Sequence, residues 1–355
     1  MAVIYWTAAW RRSYHDLAET IKGAGYFAGQ GLWILCGSPS VILTATDDDL
    51  RETPPVWTPR ADGGGSVHNA ISVNTVLGIA IVVGDSNWVN ESTDGITWSG
   101  VQTSPATGEN LSAVAGGYNS SGFPIPHETA VAVSSTPGGK IFDRGLGGLW
   151  ANADTGAVAD ELHGVCYAPD LSGFDDWLAV GTDGTNALVA TSLDPSSLWT
   201  RYSTVETAKL LSCARGNGLF MAGGLAGIVM TSPTGLTGTW TVRPTGGTDD
   251  IAAVNHLGGS YWIATGNTGS IYISPDDGVS WSVSAAVGSE AVGGAVSDTT
   301  ERTTLIASTN SGWTSFDETQ ADHTPVDPPT SEVVLSENTE YAAQAITRLV
   351  QQFRG

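Results

Sequence analysis

Residues 271–283, IYISPDDGVSWSV, hold two alternating runs joined by the loop SPDDG, and the second run opens on Trp281. In the pattern S-x-D-x-G-x-[ST]-W, the Asp can accept backbone N–H bonds within the turn and the Gly can take φ > 0, so the stretch reads as a tight hairpin. The Trp then buries a large ring beside that turn.

Working outward, short apolar runs ending in Gly or Ser recur along the chain. They are WILCG (33–37), AIVVG (80–84), AVAVS (130–134), WLAVG (177–181), FMAGG (220–224), WIATG (262–266) and TLIAS (304–308). Each of the first six is followed by a Trp that opens another strand: Trp57, Trp98, Trp150, Trp199, Trp240 and Trp281. The intervals of 41, 52, 49, 41 and 41 residues suit a four-stranded blade and are too short for repeated βαβ units of this kind. Runs of small residues such as 252–254 and 112–114 suit the innermost strand, where backbones converge. The last unit lacks its own Trp strand, whereas Trp6 lies 51 residues before Trp57. These features predict an all-β, seven-bladed β-propeller over residues 1–322, its last blade completed by the N-terminal strand around Tyr5 and Trp6, because closure leaves no open edge.

Composition agrees with many strands and turns: 45 Gly and 13 Trp in 355 residues. The formal net charge of −22, from 36 acidic and 14 basic residues, repels polyanions and argues against nucleic acid as a partner. Cys36, Cys166 and Cys213 cannot all pair and sit in apolar runs, so free thiols in a reducing compartment are expected. The start MAVIYWTAAWRR lacks a signal-peptide pattern, and no segment has the apolar length of a membrane span.

At the turns the sequence resembles the Asp-box β-propellers, a group that includes sialidases, sortilin-like receptors and photosystem assembly factors. Ser274, Asp276, Gly278 and Trp281 carry the fullest match, and Ser92, Asp94, Gly95 and Trp98 match with one residue deleted. Ser192, Asp194 and Trp199 keep the spacing without the Gly, and the stretch from Ser232 to Trp240 lacks the Asp. The resemblance implies a folding element on the blade periphery and argues fold rather than function.

Enzymatic chemistry finds little support. A sialidase would need three arginines around a carboxylate, yet none of the eleven arginines stands in the setting of the first sialidase arginine, and Arg201 and Arg243 follow the Trp strand in equivalent places, as blade-edge residues would. Gly84-Asp85-Ser86 resembles an esterase nucleophile block, but in repeat register it is a turn between two strands. The six histidines have no metal-ligand spacing, and the acidic turns at 46–49 and 182–186 lack the EF-hand order of ligands. No catalytic residue, metal site or cofactor is therefore expected.

Beyond the propeller, residues 323–355 change character. TPVDPPT (324–330) reads as an extended linker. After it, Ala342, Ala345, Ile346, Leu349 and Phe353 fall on one stripe at helical spacing, predicting an amphipathic C-terminal helix that docks on a partner. The closing ITRLVQQFRG is similar to a short stretch of some tailed-bacteriophage tail proteins. The expected role is a non-enzymatic structural or attachment component of a phage particle, made in the host cytoplasm, with the propeller exposed and the C-terminal segment as anchor to other virion subunits. The alternative is a glycan- or protein-binding propeller module, with a carbohydrate-active enzyme behind it.

Overall fold

A computed structural model describes residues 11–14 and 20–286, with short breaks in connecting segments, together with 295–297, 303–305 and 313–316. After β1 (Arg11–Tyr14), the first blade is β2 (Thr20–Phe27), β3 (Leu32–Ser38), β4 (Val41–Thr46) and β5 (Thr58–Arg60). Blade 2 is β6 (His68–Asn74), β7 (Ile79–Gly84), β8 (Trp88–Ser92) and β9 (Ser99–Gln102). Blade 3 is β10 (Leu111–Asn119), β11 (His127–Ser134), β12 (Ile141–Arg144) and β13 (Trp150–Asp154). Blade 4 is β14 (Glu161–Tyr167), β15 (Trp177–Thr182), β16 (Ala187–Asp194) and β17 (Leu198–Ser203). Blade 5 is β18 (Leu210–Gly216), β19 (Leu219–Gly224), β20 (Val229–Ser232) and β21 (Thr241–Val242). Blade 6 is β22 (Ile251–Gly258), β23 (Tyr261–Gly266), β24 (Ser270–Ser274) and β25 (Ser282–Ala286).

Six blades form, and the seven-bladed ring that the repeat count predicts does not. In place of a seventh four-stranded sheet stand two separate two-stranded ladders, β26 (Ala295–Ser297) with β27 (Thr303–Leu305), and β28 (Trp313–Phe316) with β1. The physical reason lies in the sequence of that unit: its described strands are short, and no S-x-D-x-G turn follows Trp313–Phe316 to lead into a further strand that would extend the pairing. The N-terminal contribution comes from β1, with Arg11 opposite Phe316 and Tyr14 opposite Trp313. Tyr5 and Trp6, expected to fill that role, lie outside the described residues. The proposed linker and C-terminal helix over 323–355 also lie outside them. Inner strands β2, β6, β10, β14, β18 and β22 touch in sequence, and β26 meets both β22 and β2.

Within a blade every adjacent pair of strands is antiparallel. The connections between blades and the turns between second and third strands therefore share one face of the ring, termed upper here. The first-to-second and third-to-fourth turns share the lower face. Second strands read as unbroken apolar runs because both faces are buried: all six residues of β7 and of β15 are buried.

Packing between blades is organised by the Trp of the fourth strand. Trp98 of blade 2 joins Phe27, Leu32, Ile34 and Ile42 of blade 1, Trp150 of blade 3 joins Ile81 and Val83 of blade 2, and Trp281 of blade 6 packs on Met221 and Val229 of blade 5. Each such ring removes about 150–250 Å² from water. At ~25 cal/mol per Å² that is about 4–6 kcal/mol as an upper bound.

A further regularity runs through all six inner strands. Register shifts by one residue at the same place in each, leaving Lys22, Asn69, Ser112, His163, Leu211 and Ala252 without a partner opposite. These are β-bulges, in which an extra residue bends the strand. The bulge also accounts for the Gly that ends four of the apolar runs, Gly37, Gly84, Gly181 and Gly224. A Cβ on Gly37, Gly84 or Gly181 would sit 2.0, 1.9 or 1.8 Å from the carbonyl oxygen of Thr20, Val67 or Glu161.

Gly181→Ala should therefore destabilise the protein by about 2–3 kcal/mol, whereas Gly29→Ala, where an added Cβ meets nothing within 4 Å, should be close to neutral. Urea unfolding of both variants checks this, and equal midpoints would contradict the role given to the bulge.

Candidate functional site

The lower-face turns are built from within. Asp94 Oδ1 accepts the backbone N–H groups of Ile96 (2.8 Å) and Thr97 (2.7 Å), and Ser92 Oγ accepts that of Gly95 (2.8 Å) and donates to Asp94 (3.0 Å). Those backbone bonds from Thr97 and Ile96 hold the Asp94 carboxyl down to about 2. In blade 6, Asp276 Oδ1 accepts Ser280 N–H (2.8 Å), its other oxygen accepts the Ser280 hydroxyl (2.6 Å), and Ser274 Oγ accepts Gly278 N–H (2.8 Å). Burial pushes the Asp276 carboxyl up, but the bonds from Ser280 and Ser274 prevail and leave it below its ordinary range. Gly95 and Gly278 take φ of 72° and 82°, and Gly95 abuts Leu32 of the preceding blade.

The decayed turns substitute other groups. Without the Gly in blade 4, Ser192 Oγ donates to the Asp194 carbonyl (2.8 Å), and Asp194 Oδ1 accepts Ser196 N–H (3.0 Å) and Asn119 Nδ2 (3.0 Å), while Trp199 Nε1 donates to Pro195 O (3.0 Å). In blade 5, Thr234 stands where the Asp would, and Ser232 Oγ still accepts Gly235 N–H at 2.8 Å. The structure thus spends these site residues inside their own turns, save that Asp194 also accepts Asn119 Nδ2 from blade 3. The partner-docking residues Ala342, Ala345, Ile346, Leu349 and Phe353 lie outside the described residues.

On the upper face the bulged residues ring the central axis, and in blades 1 to 3 each reaches toward the next blade. Lys22 Nζ donates to Asn69 Oδ1 (2.8 Å), Asn69 Nδ2 donates to Leu111 O (2.9 Å) and to Asp85 Oδ1 (2.8 Å), and Ser112 Oγ donates to Leu162 O (2.7 Å). Asp85 is a turn residue, as the repeat register expects: Asp85–Asn87 forms a single 3-10 turn between β7 and β8. Farther round, Lys209 Nζ donates to Glu161 Oε2 at 2.6 Å and His163 Nε2 lies 3.2 Å from the same oxygen. The bond from Lys209 lowers the Glu161 carboxyl. Burial lowers the His163 imidazole in spite of the bond to Glu161, leaving it neutral at pH 7. Leu211 and Ala252 complete the ring with apolar side chains that cannot donate.

All three lysines of the chain, Lys22, Lys140 and Lys209, belong to this face. Lys140 is paired with Glu109 at 2.5 Å. The bulged residues escaped the sequence reading because an extra residue has no signature of its own; the Gly opposite it was the available signal. Arg201, expected at a blade edge in solvent, is instead a clasp between blades. Its Nε reaches Asp154 (2.7 Å), Nη1 reaches Asp160 (3.2 Å) and Nη2 reaches Gly139 O (2.6 Å). The acidic turns are likewise self-contained: Asp183 Oδ1 accepts Thr185 and Asn186 N–H at 2.8 and 2.6 Å, and Asp49 Oδ2 accepts Thr46 N–H at 2.8 Å. Among the described residues no group of three or more His, Cys, Asp or Glu side chains is placed to hold a metal ion, and no helix is long and apolar enough to cross a membrane.

With this geometry in view, the chain is a β-propeller, and solved structures agree. YCF48 bound to D1 peptide superposes with a TM-score of 0.66 at 14% identity, covering 89% of this chain and 97% of that one. YCF48 from Cyanidioschyzon merolae gives 0.64 at 16% identity over 87% and 98%. The WD40 β-propeller domain of Doa1 gives 0.63 at 12% identity over 88% and 98%. No protein-family model and no curated protein matches the chain. At these identities the likeness establishes the fold alone.

Since the native His163 binds its proton less readily than the free imidazole at ~6.5, the unfolded chain takes up more protons just below that pH. Stability should rise with pH through this window, and be lost as pH falls below about 6.5. His163→Gln should flatten the melting temperature between about pH 5 and pH 7; an unchanged slope would show that His163 is not the group responsible.

Proposed function

We propose that the chain is a non-enzymatic binding propeller that holds a polypeptide partner on its upper face. One observation carries this reading. The upper-face bulge keeps the same backbone in six blades while its side chains run through Lys, Asn, Ser, His, Leu and Ala. By contrast, the lower-face turns of blades 2 and 6 keep the Ser, Asp, Gly and Trp side chains and the bonds they make, although the blade 6 turn is one residue longer. Equal chemistry at equivalent places serves the scaffold; equal backbone with different chemistry makes a surface that can discriminate. A solved propeller of the same fold is bound to a peptide, which supports a polypeptide ligand.

Within this reading, the propeller is the exposed module of a larger assembly, and we propose a structural or attachment role in a phage particle. The support is the sequence of ITRLVQQFRG and the apolar stripe before it. A chain ending at Asp322 should fold and fail to enter particles; incorporation at the normal copy number, measured on purified virions, would rule the anchoring role out.

The binding reading is tested by panning a random-peptide library against the full chain. Peptides that bind should lose about tenfold or more in affinity when Lys22→Ala and His163→Ala are combined, with the chain still folded. Asp276→Ala should lower the melting temperature and leave the same peptides bound. Peptides indifferent to the first pair and lost with the second would place the site on the lower face.

A further inference from the structure

Two of the three cysteines meet across a blade interface. Cys166 belongs to β14, the inner strand of blade 4, and Cys213 to β18, the inner strand of blade 5. The two strands approach closely just above them: a Cβ on Gly164 would lie 2.9 Å from Ser212 Cα and 3.0 Å from Cys213 N. Cys166 stands opposite Leu178 in the blade 4 ladder, and Cys213 Sγ lies 3.7 Å from the Leu178 carbonyl oxygen, which puts the blade 5 sulfur over the Cys166–Leu178 pair. The two thiols are in hydrogen-bond contact with each other. Both pack with Leu178, Val180, Phe220 and Ala222 in one apolar cluster shared by blades 4 and 5.

The third cysteine shows what a purely structural thiol looks like in this fold. Cys36 is buried in blade 1, its sulfur filling the space beside Gly23, where an added Cβ would meet it at 2.9 Å. Burial pushes its thiol up to about 12, and the other two cysteines lie in blades 4 and 5. Cys213 differs on both counts. It is partly exposed, on a strand that borders the axis of the ring, and a second sulfur is already beside it. A disulfide needs two side chains that point at one another over a short backbone separation, and this pair meets that requirement.

We propose that Cys166 and Cys213 form an oxidisable site, at which a small organic disulfide entering along the axis converts the pair to a disulfide that staples blade 4 to blade 5. The proposal stands independently of what the upper face binds. Two thiol–disulfide exchanges complete it. The Cys213 thiol loses its proton to solvent and its sulfur attacks one sulfur of the reagent; the reagent's S–S bond breaks, one half leaves and takes up a proton, and Cys213 is left in a mixed disulfide. Cys166 then loses its proton, its sulfur attacks that of Cys213, and the second half leaves as a thiol. Two protein thiols are oxidised to one disulfide, one small disulfide is reduced to two thiols, and the two protons lost are the two taken up. Burial, with the adjacent Cys166 thiol, pushes the Cys213 thiol well above its ordinary range, so the first attack is slow at neutral pH and the pair stays reduced until oxidant accumulates. The bond closes a loop over residues 166–213 and so restricts the unfolded chain.

The test incubates the full folded chain with excess oxidised glutathione and, in parallel, with dithiothreitol. Non-reducing peptide mapping by mass spectrometry should find Cys166 joined to Cys213 after oxidation, with Cys36 still a free thiol. The oxidised chain should melt about 4 °C or more above the reduced one, and dithiothreitol added afterwards should abolish both the cross-link and the gain. Cys36→Ser should leave these results unchanged, whereas Cys213→Ser should show neither. Should Cys213→Ser fail to fold, the map of the unmutated chain still decides: Cys166 and Cys213 recovered as free thiols, or as separate glutathione adducts without a cross-link, would overturn the proposal. A cross-link that leaves the melting temperature unchanged or lowers it would overturn its role as a staple.

Discussion

The structure depends on the way six inner strands crowd around one axis. Each accommodates an extra residue near its upper end, and the displaced carbonyl oxygen occupies the space of a missing Cβ on the second strand in blades 1, 2, 4 and 5. That exchange fixes where a Gly must stand, where the first strand bends, and which side chain is turned out of the ladder. In blade 3, Ser134 takes the equivalent place and its hydroxyl donates to Glu109 at 3.1 Å. The same backbone device is thus tolerant of one non-glycine solution.

The two faces of the ring divide the work. Lower-face carboxylates Asp94, Asp194 and Asp276 are taken up by N–H groups of their own turns and, for Asp194, by Asn119 of the neighbouring blade, which leaves them poorly available to a ligand. On the upper face the charged groups reach between blades and between elements, as with Lys22 to Asn69 and Arg201 to Asp154 and Asp160. A surface made this way is held rigid by its own hydrogen bonds while its chemistry differs from blade to blade. Rigid presentation of varied side chains is what low-cost recognition requires, because little ordering entropy is lost on binding.

Charge acts on a longer scale. A net −22 keeps the field of the molecule negative and steers cationic partners toward it. The three lysines are each committed to a neighbour on the upper face, to Asn69, Glu109 and Glu161. They moderate the local field rather than invert it.

By itself the sequence determined the all-β class, the four-stranded period, the order of strands within a blade, and the chemistry of the turns at Asp94 and Asp276. Those features are local: Trp spacing, a terminal Gly and an S-x-D-x-G pattern are written within a few residues of the structure they specify. The number of full blades was decided only by the tertiary structure, because an apolar run such as 304–308 signals a strand but not whether its neighbours will pair with it. The bulged ring of Lys22, Asn69, Ser112, His163, Leu211 and Ala252 is likewise invisible along the chain. Its members are forty or more residues apart, they share no residue type, and only closure of the inner strands around one axis brings them to the same mouth.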